Sequence, residues 1–134
     1  MYRLYDGLEE LLKKLSENGI KAAVASSKPQ DFLEKIIKSS GMDKYFDCIV
    51  GASRNFADSD KATIVSAAME QTGVTDKSRI LMVGDRKFDI VGAHKVGIAC
   101  AAVLFGYGSR EEFEEYHADY IVKNFKEVED LVMD

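Results

Sequence analysis

The chain has 134 residues, 46% of them apolar, and a net charge of −5. That length suits one domain with a real core, and the acidic balance argues against a nucleic-acid partner, which calls for a basic face. No stretch reaches the roughly 18 apolar residues needed to span a bilayer, and the opening MYRLYDGLEELLKK lacks the apolar run of a secretory signal. The expectation is a cytoplasmic single domain, 1–134, with no membrane partner.

The predicted elements alternate along the chain. Leu8, Leu11, Leu12 and Leu15 recur at helical spacing and Gly19 closes that helix. The short apolar run IKAAVASS reads as a strand ending in hydroxyls. A second helical pattern follows Pro29, carrying Phe32, Leu33, Ile36 and Ile37, and stops near Gly41. FDCIVGAS reads as a strand. DSDKATIVSAAMEQTG reads as a helix, with Asp58, Ser59 or Asp60 as its cap and Gly73 as its stop. RILMVGD is the next strand, and a helix runs from there through Ile90, Val91 and Ala93 to Gly97. IACAAVLF, SREEFEEYH, DYIV and FKEVEDLVMD then read as strand, short helix, short strand and last helix.

Strands that are apolar at consecutive positions, separated by helices, indicate a parallel sheet covered on both faces. The fold class is therefore α/β, doubly wound and three-layered. Ligands of such sheets bind beyond the carboxyl ends of the strands, and Ser26, Asp85 and Asp89 fall there.

Each candidate residue also has an ordinary structural reading. Gly84 permits a sharp turn, and Asp85 and Asp89, one helical turn apart, can face one point. Two hard carboxylates with room for waters suit Mg²⁺, whereas Asp85 as helix cap and Asp89 as complement to the helix dipole is the alternative. Ser26 and Ser27 could grip a phosphate or cap the helix that Pro29 begins. Lys61 opens a helix, where its charge meets the positive end of the macrodipole; an anion bound beside it would explain the placement. Arg54, His94 and His117 carry weaker signals, the histidines lacking metal-ligand spacing. Cys48 and Cys100 sit inside apolar runs and read as buried, reduced thiols with no base partner.

The ordered series of strand-end hydroxyl, helix-opening lysine and Gly-Asp-x-x-x-Asp resembles the haloacid dehalogenase superfamily of phosphohydrolases. Ser26 matches its second motif, Lys61 its third, and Gly84, Asp85 and Asp89 its fourth. The likeness is greatest to the phosphoglycolate-phosphatase branch, through LYDGLEELLKKLSENGIKAAVASSKP, VGDRKFDIVGAHKVGI and VLFGYGSREEFEEYHADYIV. The resemblance implies hydrolysis of a small phosphorylated metabolite with Mg²⁺ by way of an aspartyl-phosphate. Ser26, Ser27 and Lys61 would hold the phosphoryl oxygens, and Asp85 and Asp89 the metal.

The family's first motif, an Asp-x-Asp closing an apolar opening strand, has no match here. Upstream of Ser26 the only aspartate is Asp6, in a polar Tyr-Asp-Gly segment. The expectation is a core without its central first strand, its nucleophile or its cap domain, inactive alone, with β edges left for a second copy or a complementing N-terminal segment. Two other readings stand beside it. A non-catalytic binding or oligomerisation module would have no need of Ser26, Lys61, Asp85 and Asp89 together. A receiver-like domain would need an acidic pair after the first strand, which is not evident.

Overall fold

The computed structural model describes residues 7–52 and 60–133. They belong to two compact units, Met1–Gly73 and Val74–Asp134. Asp6, Arg54, Asp58 and Ser59 lie outside the described residues.

In the first unit, helix α1 (Leu8–Glu17) buries Leu11, Leu12 and Leu15, the stripe that the spacing predicts. Strand β1 (Ala23–Pro29) leads directly into α2 (Gln30–Ser40), which ends at Gly41 in the left-handed conformation. A 3₁₀ turn at Asp43–Tyr45 precedes β2 (Cys48–Ala52), and α3 (Lys61–Thr72) ends at left-handed Gly73. β1 and β2 run parallel, with Ala23, Val24 and Ala25 opposite Cys48, Ile49 and Val50. Ile64 and Ala68 of α3 pack on Val50 and Ala52. Burying a side chain such as Ile64, only 2% exposed, contributes about 2 kcal/mol.

In the second unit, β3 (Leu81–Gly84), α4 (Lys87–Val96), β4 (Ala99–Val103), α5 (Arg110–Glu115), β5 (Tyr120–Val122) and α6 (Phe125–Met133) follow in order. The sheet order is β3-β4-β5, all parallel. β4 is central, and Cys100 through Val103 are all buried. Phe113 of α5 is fully buried, and Phe105, just after β4, meets Phe125 edge-on at 4.8 Å.

This is the α/β parallel architecture expected, with the strands in two sheets. Among the described residues β1 has only β2 as strand neighbour, and β3 only β4. Each therefore keeps one edge without a strand, as a core lacking its first strand requires. Val83 of β3, an apolar residue, is 38% exposed. Among the described residues no helix is long and apolar enough to cross a membrane.

Candidate functional site

The first unit contributes Ser26 and Lys61. Between the pairs Ala25↔Val50 and Pro29↔Ala52, β1 advances four residues while β2 advances two. Ser26, Ser27 and Lys28 thus form a bulge in β1, where its register against β2 shifts. The Ser26 Oγ accepts a hydrogen bond from the Lys28 N–H at 3.2 Å, the local side-chain turn that serine favours. Capping of α2 by either serine is not what the fold uses. Pro29 itself stands at the N-cap, with no side-chain cap bond. With its lone pair engaged by Lys28, the Ser26 hydroxyl keeps its own hydrogen for another acceptor.

Lys61 is the first residue of α3, and the Asp60 side chain makes no cap bond to that helix. The lysine is half-buried, and its Nζ donates to the Ala25 carbonyl at 2.9 Å. That contact draws the ammonium away from the helix axis and to the residue preceding Ser26. A hydroxyl donor and a cation are thereby gathered at the carboxyl end of one strand, a pairing suited to an anion. Ser27 is next to them and exposed.

The second unit contributes Asp85 and Asp89, whose carboxylates do different things. Asp89 is only 8% exposed, and its Oδ2 accepts from the N–H groups of Asp85 at 3.0 Å and Arg86 at 3.2 Å. It holds the turn between β3 and α4. Gly84 is required beneath it, since a Cβ there would lie 2.3 Å from the Asp89 Cβ. The capping alternative is therefore realised by Asp89, while Arg86 rather than Asp85 occupies the N-cap position.

Asp85 is half-buried and turned the other way. Its Oδ2 accepts from the Tyr107 N–H at 3.0 Å, and among the described residues Oδ1 accepts no hydrogen bond. The loop after β4 closes around it: a Cβ on Gly106 would lie 2.4 Å from the Asp85 Cβ, and one on Gly108 would lie 2.4 Å from the Asp85 carbonyl oxygen. Glu112 of α5 completes the support, its Oε2 accepting from Arg86 Nε at 3.1 Å and from the Lys87 N–H at 2.8 Å. The Arg86 hydrogen bond leads in holding the Glu112 carboxyl below its usual range, and the Lys87 N–H adds to it.

The N–H groups of Asp85, Arg86 and Lys87 are thus all taken by carboxylates. At this helix start those three donors are engaged. What it presents is an outward carboxylate oxygen, the donor type a hard cation takes. Among the described residues, no three His, Cys, Asp or Glu side chains gather into a metal-binding group.

The weaker candidates fall elsewhere. His94, in the last turn of α4, pairs with Asp119 at 2.8 Å, beside the start of β4 and away from Asp85. His117 is a left-handed turn residue, φ 62. Cys48 and Cys100 are not joined in a disulfide. Burial foremost, and the Asp47 charge after it, push the Cys48 thiol up, which keeps it protonated and unreactive.

Three contributors escaped the sequence reading: Tyr107, with its flanking glycines, Glu112 and Gln30. Glycines on both sides of an aromatic just past an apolar run were the available signal for the first. Glu112 and Gln30 gave none, being ordinary exposed-helix residue types.

Comparison with known proteins bears on the whole chain. Residues 1–103 match the haloacid dehalogenase-like hydrolase family. The chain is 32% identical over 114 residues to a 5'-nucleotidase of Pseudomonas aeruginosa, covering 85% of this chain and 51% of that protein. It is 32% identical over 131 residues to tyrosine-protein kinase PtkA of Mycobacterium tuberculosis, covering 98% and 44%. A phosphoglycolate phosphatase of Vibrio parahaemolyticus is 29% identical, covering 96% and 56%. Among solved structures, a predicted phosphatase from Clostridium acetobutylicum superposes with a TM-score of 0.91 at 36% identity, covering 98% of this chain and 60% of that one. The chain spans about half the length of the curated relatives it matches.

Proposed function

Because the chain belongs to the haloacid dehalogenase-like hydrolases, we propose that it supplies the phosphate-holding and cation-holding parts of a phosphomonoesterase core, with residues 1–134 acting as one domain. The observation that carries this is the Lys61 ammonium seated at 2.9 Å on the carbonyl of Ala25, the residue before Ser26. A buried-facing cation and a spare O–H donor at a strand end match the equatorial oxygens of a phosphoryl group.

In this reading Ser26 and Lys61 bind and orient the phosphoryl oxygens, with Ser27 at their edge. Asp85 holds Mg²⁺ through its outward oxygen, and Asp89 fixes the turn that aims Asp85. The donor set fits the ion, because hard carboxylate oxygens with space for waters are what Mg²⁺ accepts. Mg²⁺, when bound, offsets negative charge on the phosphoryl group. No residue of the chain stands as an Asp-x-Asp nucleophile at the end of an apolar strand, so the chain alone is expected not to turn over. The open edges of β1 and β3 are where a strand from a second copy or from a complementing segment would pair.

The relatives differ in the activities their names carry, a nucleotidase, a tyrosine kinase and a phosphoglycolate phosphatase. What those activities share is the phosphoryl group. The substrate is accordingly proposed only as a small phosphomonoester of phosphoglycolate-phosphatase type. A non-catalytic module of the same fold is the competing reading, and the presence of Ser26, Lys61, Asp85 and Asp89 together weighs against it, since a scaffold has no need of this set.

Titration of the chain with inorganic phosphate and with Mg²⁺, followed by backbone NMR shifts, tests the proposal. Phosphate is expected to move Ser26, Ser27 and Lys61, and Mg²⁺ to move Asp85 and Tyr107. Saturating phosphate with no shift at Ser26 or Lys61 would sink it. Robust Mg²⁺-dependent hydrolysis of p-nitrophenyl phosphate by the chain alone would refute the expected inactivity.

A further inference from the structure

Ser26, Ser27 and Lys28 lie where the β1 register shifts against β2, between the pairs Ala25↔Val50 and Pro29↔Ala52. Gln30, the first residue of α2, adds a side-chain tie to β2 at this point. Its Oε1 accepts from the Gly51 N–H at 2.6 Å, and its Nε2 donates to the Ile49 carbonyl at 3.0 Å. Those two groups flank Val50 in β2 and are the pair that one residue of an adjoining parallel strand would take. A side-chain amide takes them here, at the point where the β1–β2 register breaks.

The orientation of the amide is fixed by its surroundings. Nε2 also donates to Glu34 Oε2 at 2.7 Å. A flipped amide would set its oxygen against two acceptors, the Ile49 carbonyl and the Glu34 carboxylate. Gly51 supplies the other half of the fit. A Cβ there would stand 2.7 Å from the Lys28 carbonyl oxygen and 2.9 Å from the Gln30 Cα, so the bulge can lie on β2 only because residue 51 has no side chain.

We infer that Gln30, seated on Gly51, is a positioning residue that latches the Ser26–Lys28 bulge to β2 and so fixes the Ser26 hydroxyl relative to Lys61. Both ends of that geometry belong to the same small frame: the bulge starts at Ala25, whose carbonyl receives Lys61, and ends at Pro29, next to Gln30. The latch itself rests on the geometry of the bulge. Its consequence for anion binding rests on the phosphate role proposed for Ser26 and Lys61.

The experiment uses the whole chain with Gln30→Met, which keeps length and helix propensity but removes both bonds to β2. Amide hydrogen exchange is read by NMR, and inorganic phosphate is titrated at a temperature where the variant is fully folded. The latch predicts exchange at Lys28 and Gly51 faster by about tenfold or more, with α3 unchanged. It also predicts phosphate affinity weaker by about fivefold or more, which a merely stabilising side chain would not produce in a folded variant. Unchanged exchange at Lys28 and Gly51 in folded Gln30→Met overturns the inference, as does unchanged phosphate affinity where the parent chain binds phosphate. If the parent chain fails to bind phosphate, the phosphate reading falls and the exchange result alone decides the latch. Should Gln30→Met not fold, Gly51→Ala presses on the same bulge from β2, and the same two readouts apply.

Discussion

The Tyr107 N–H donates to Oδ2 of Asp85 at 3.0 Å, so a loop residue from beyond β4 sets the direction of the carboxylate that follows β3. The Tyr107 ring takes no part in this, being 87% exposed. It is the backbone, brought close by glycines on either side, that fixes the aspartate.

Gly106→Ala is therefore expected to disturb Asp85. The added methyl would meet the Asp85 Cβ at 2.4 Å and its Oδ2 at 2.5 Å, and overpacking of this kind costs about 1–3 kcal/mol. Urea denaturation should show that loss, and the Asp85 side chain should lose its response to Mg²⁺. Tyr107→Ala, which keeps the N–H, should leave the Mg²⁺ response in place.

The two aspartates should separate by variant. Asp89→Ala strands two backbone N–H groups at a buried site, and is expected to cost about 2–4 kcal/mol. Asp85→Ala removes one acceptor from a half-buried position and should cost about 1 kcal/mol, while abolishing Mg²⁺ binding. Equal stability losses in the two variants would contradict the division of labour between cap and ligand.

Lys61→Ala tests the helix-opening cation. The change relieves an unfavourable charge at the α3 start but removes the bond to Ala25, so stability should move by no more than about 1 kcal/mol. Phosphate binding should be lost. A large stability loss with phosphate binding intact would make Lys61 a structural residue.

The Asp119 carboxyl gives a pH signature. Burial acts to raise its pKa, but hydrogen bonds from His94 and the Cys100 N–H outweigh it and hold the carboxyl below its ordinary value of 3.8. A carboxylate only accepts, so His94 Nε2 must carry the shared proton. A group whose folded pKa is depressed contributes stability above its unfolded pKa and loses it as pH falls through the folded one. Denaturation midpoints should therefore drop below pH 3.8 more steeply in the parent chain than in Asp119→Asn. Parallel profiles would show that the pair contributes nothing.

Much of the fold could be read from residue order. Leu11, Leu12 and Leu15 of the predicted leucine stripe are buried, with Leu8 half-buried, and Gly41, Gly73 and Gly97 end helices in the left-handed conformation. Apolar runs became parallel strands, and among the described residues β1 and β3 each have a single strand neighbour, in line with the expected edges. Helix ends and consecutive apolar runs are local properties, set by a few neighbouring dihedrals and by burial, and a sequence displays them directly.

The candidate site was legible only as residue types at strand ends. Ser26, Lys61, Asp85 and Asp89 could be named, but not what each would touch. The alternative from sequence had Asp85 as cap and Asp89 as complement to the helix dipole; in the fold Arg86 is the N-cap, and the Asp89 Oδ2 accepts from the Asp85 and Arg86 N–H groups. Ser26 was expected to compete with a helix-cap role, and a register break in the β1–β2 ladder removed that role.

Residue order alone carries the alternating α/β plan, the family likeness and the positions of its motifs. Folding was needed to bring the Tyr107 N–H to Asp85, Glu112 to the Lys87 N–H, and the Gln30 side chain to the Gly51 N–H of β2. Those contacts join positions far apart in the chain through backbone N–H and carbonyl groups. Such groups are the same in every residue type, so no side-chain pattern announces which of them will meet until the loops have closed and the backbone directions are set.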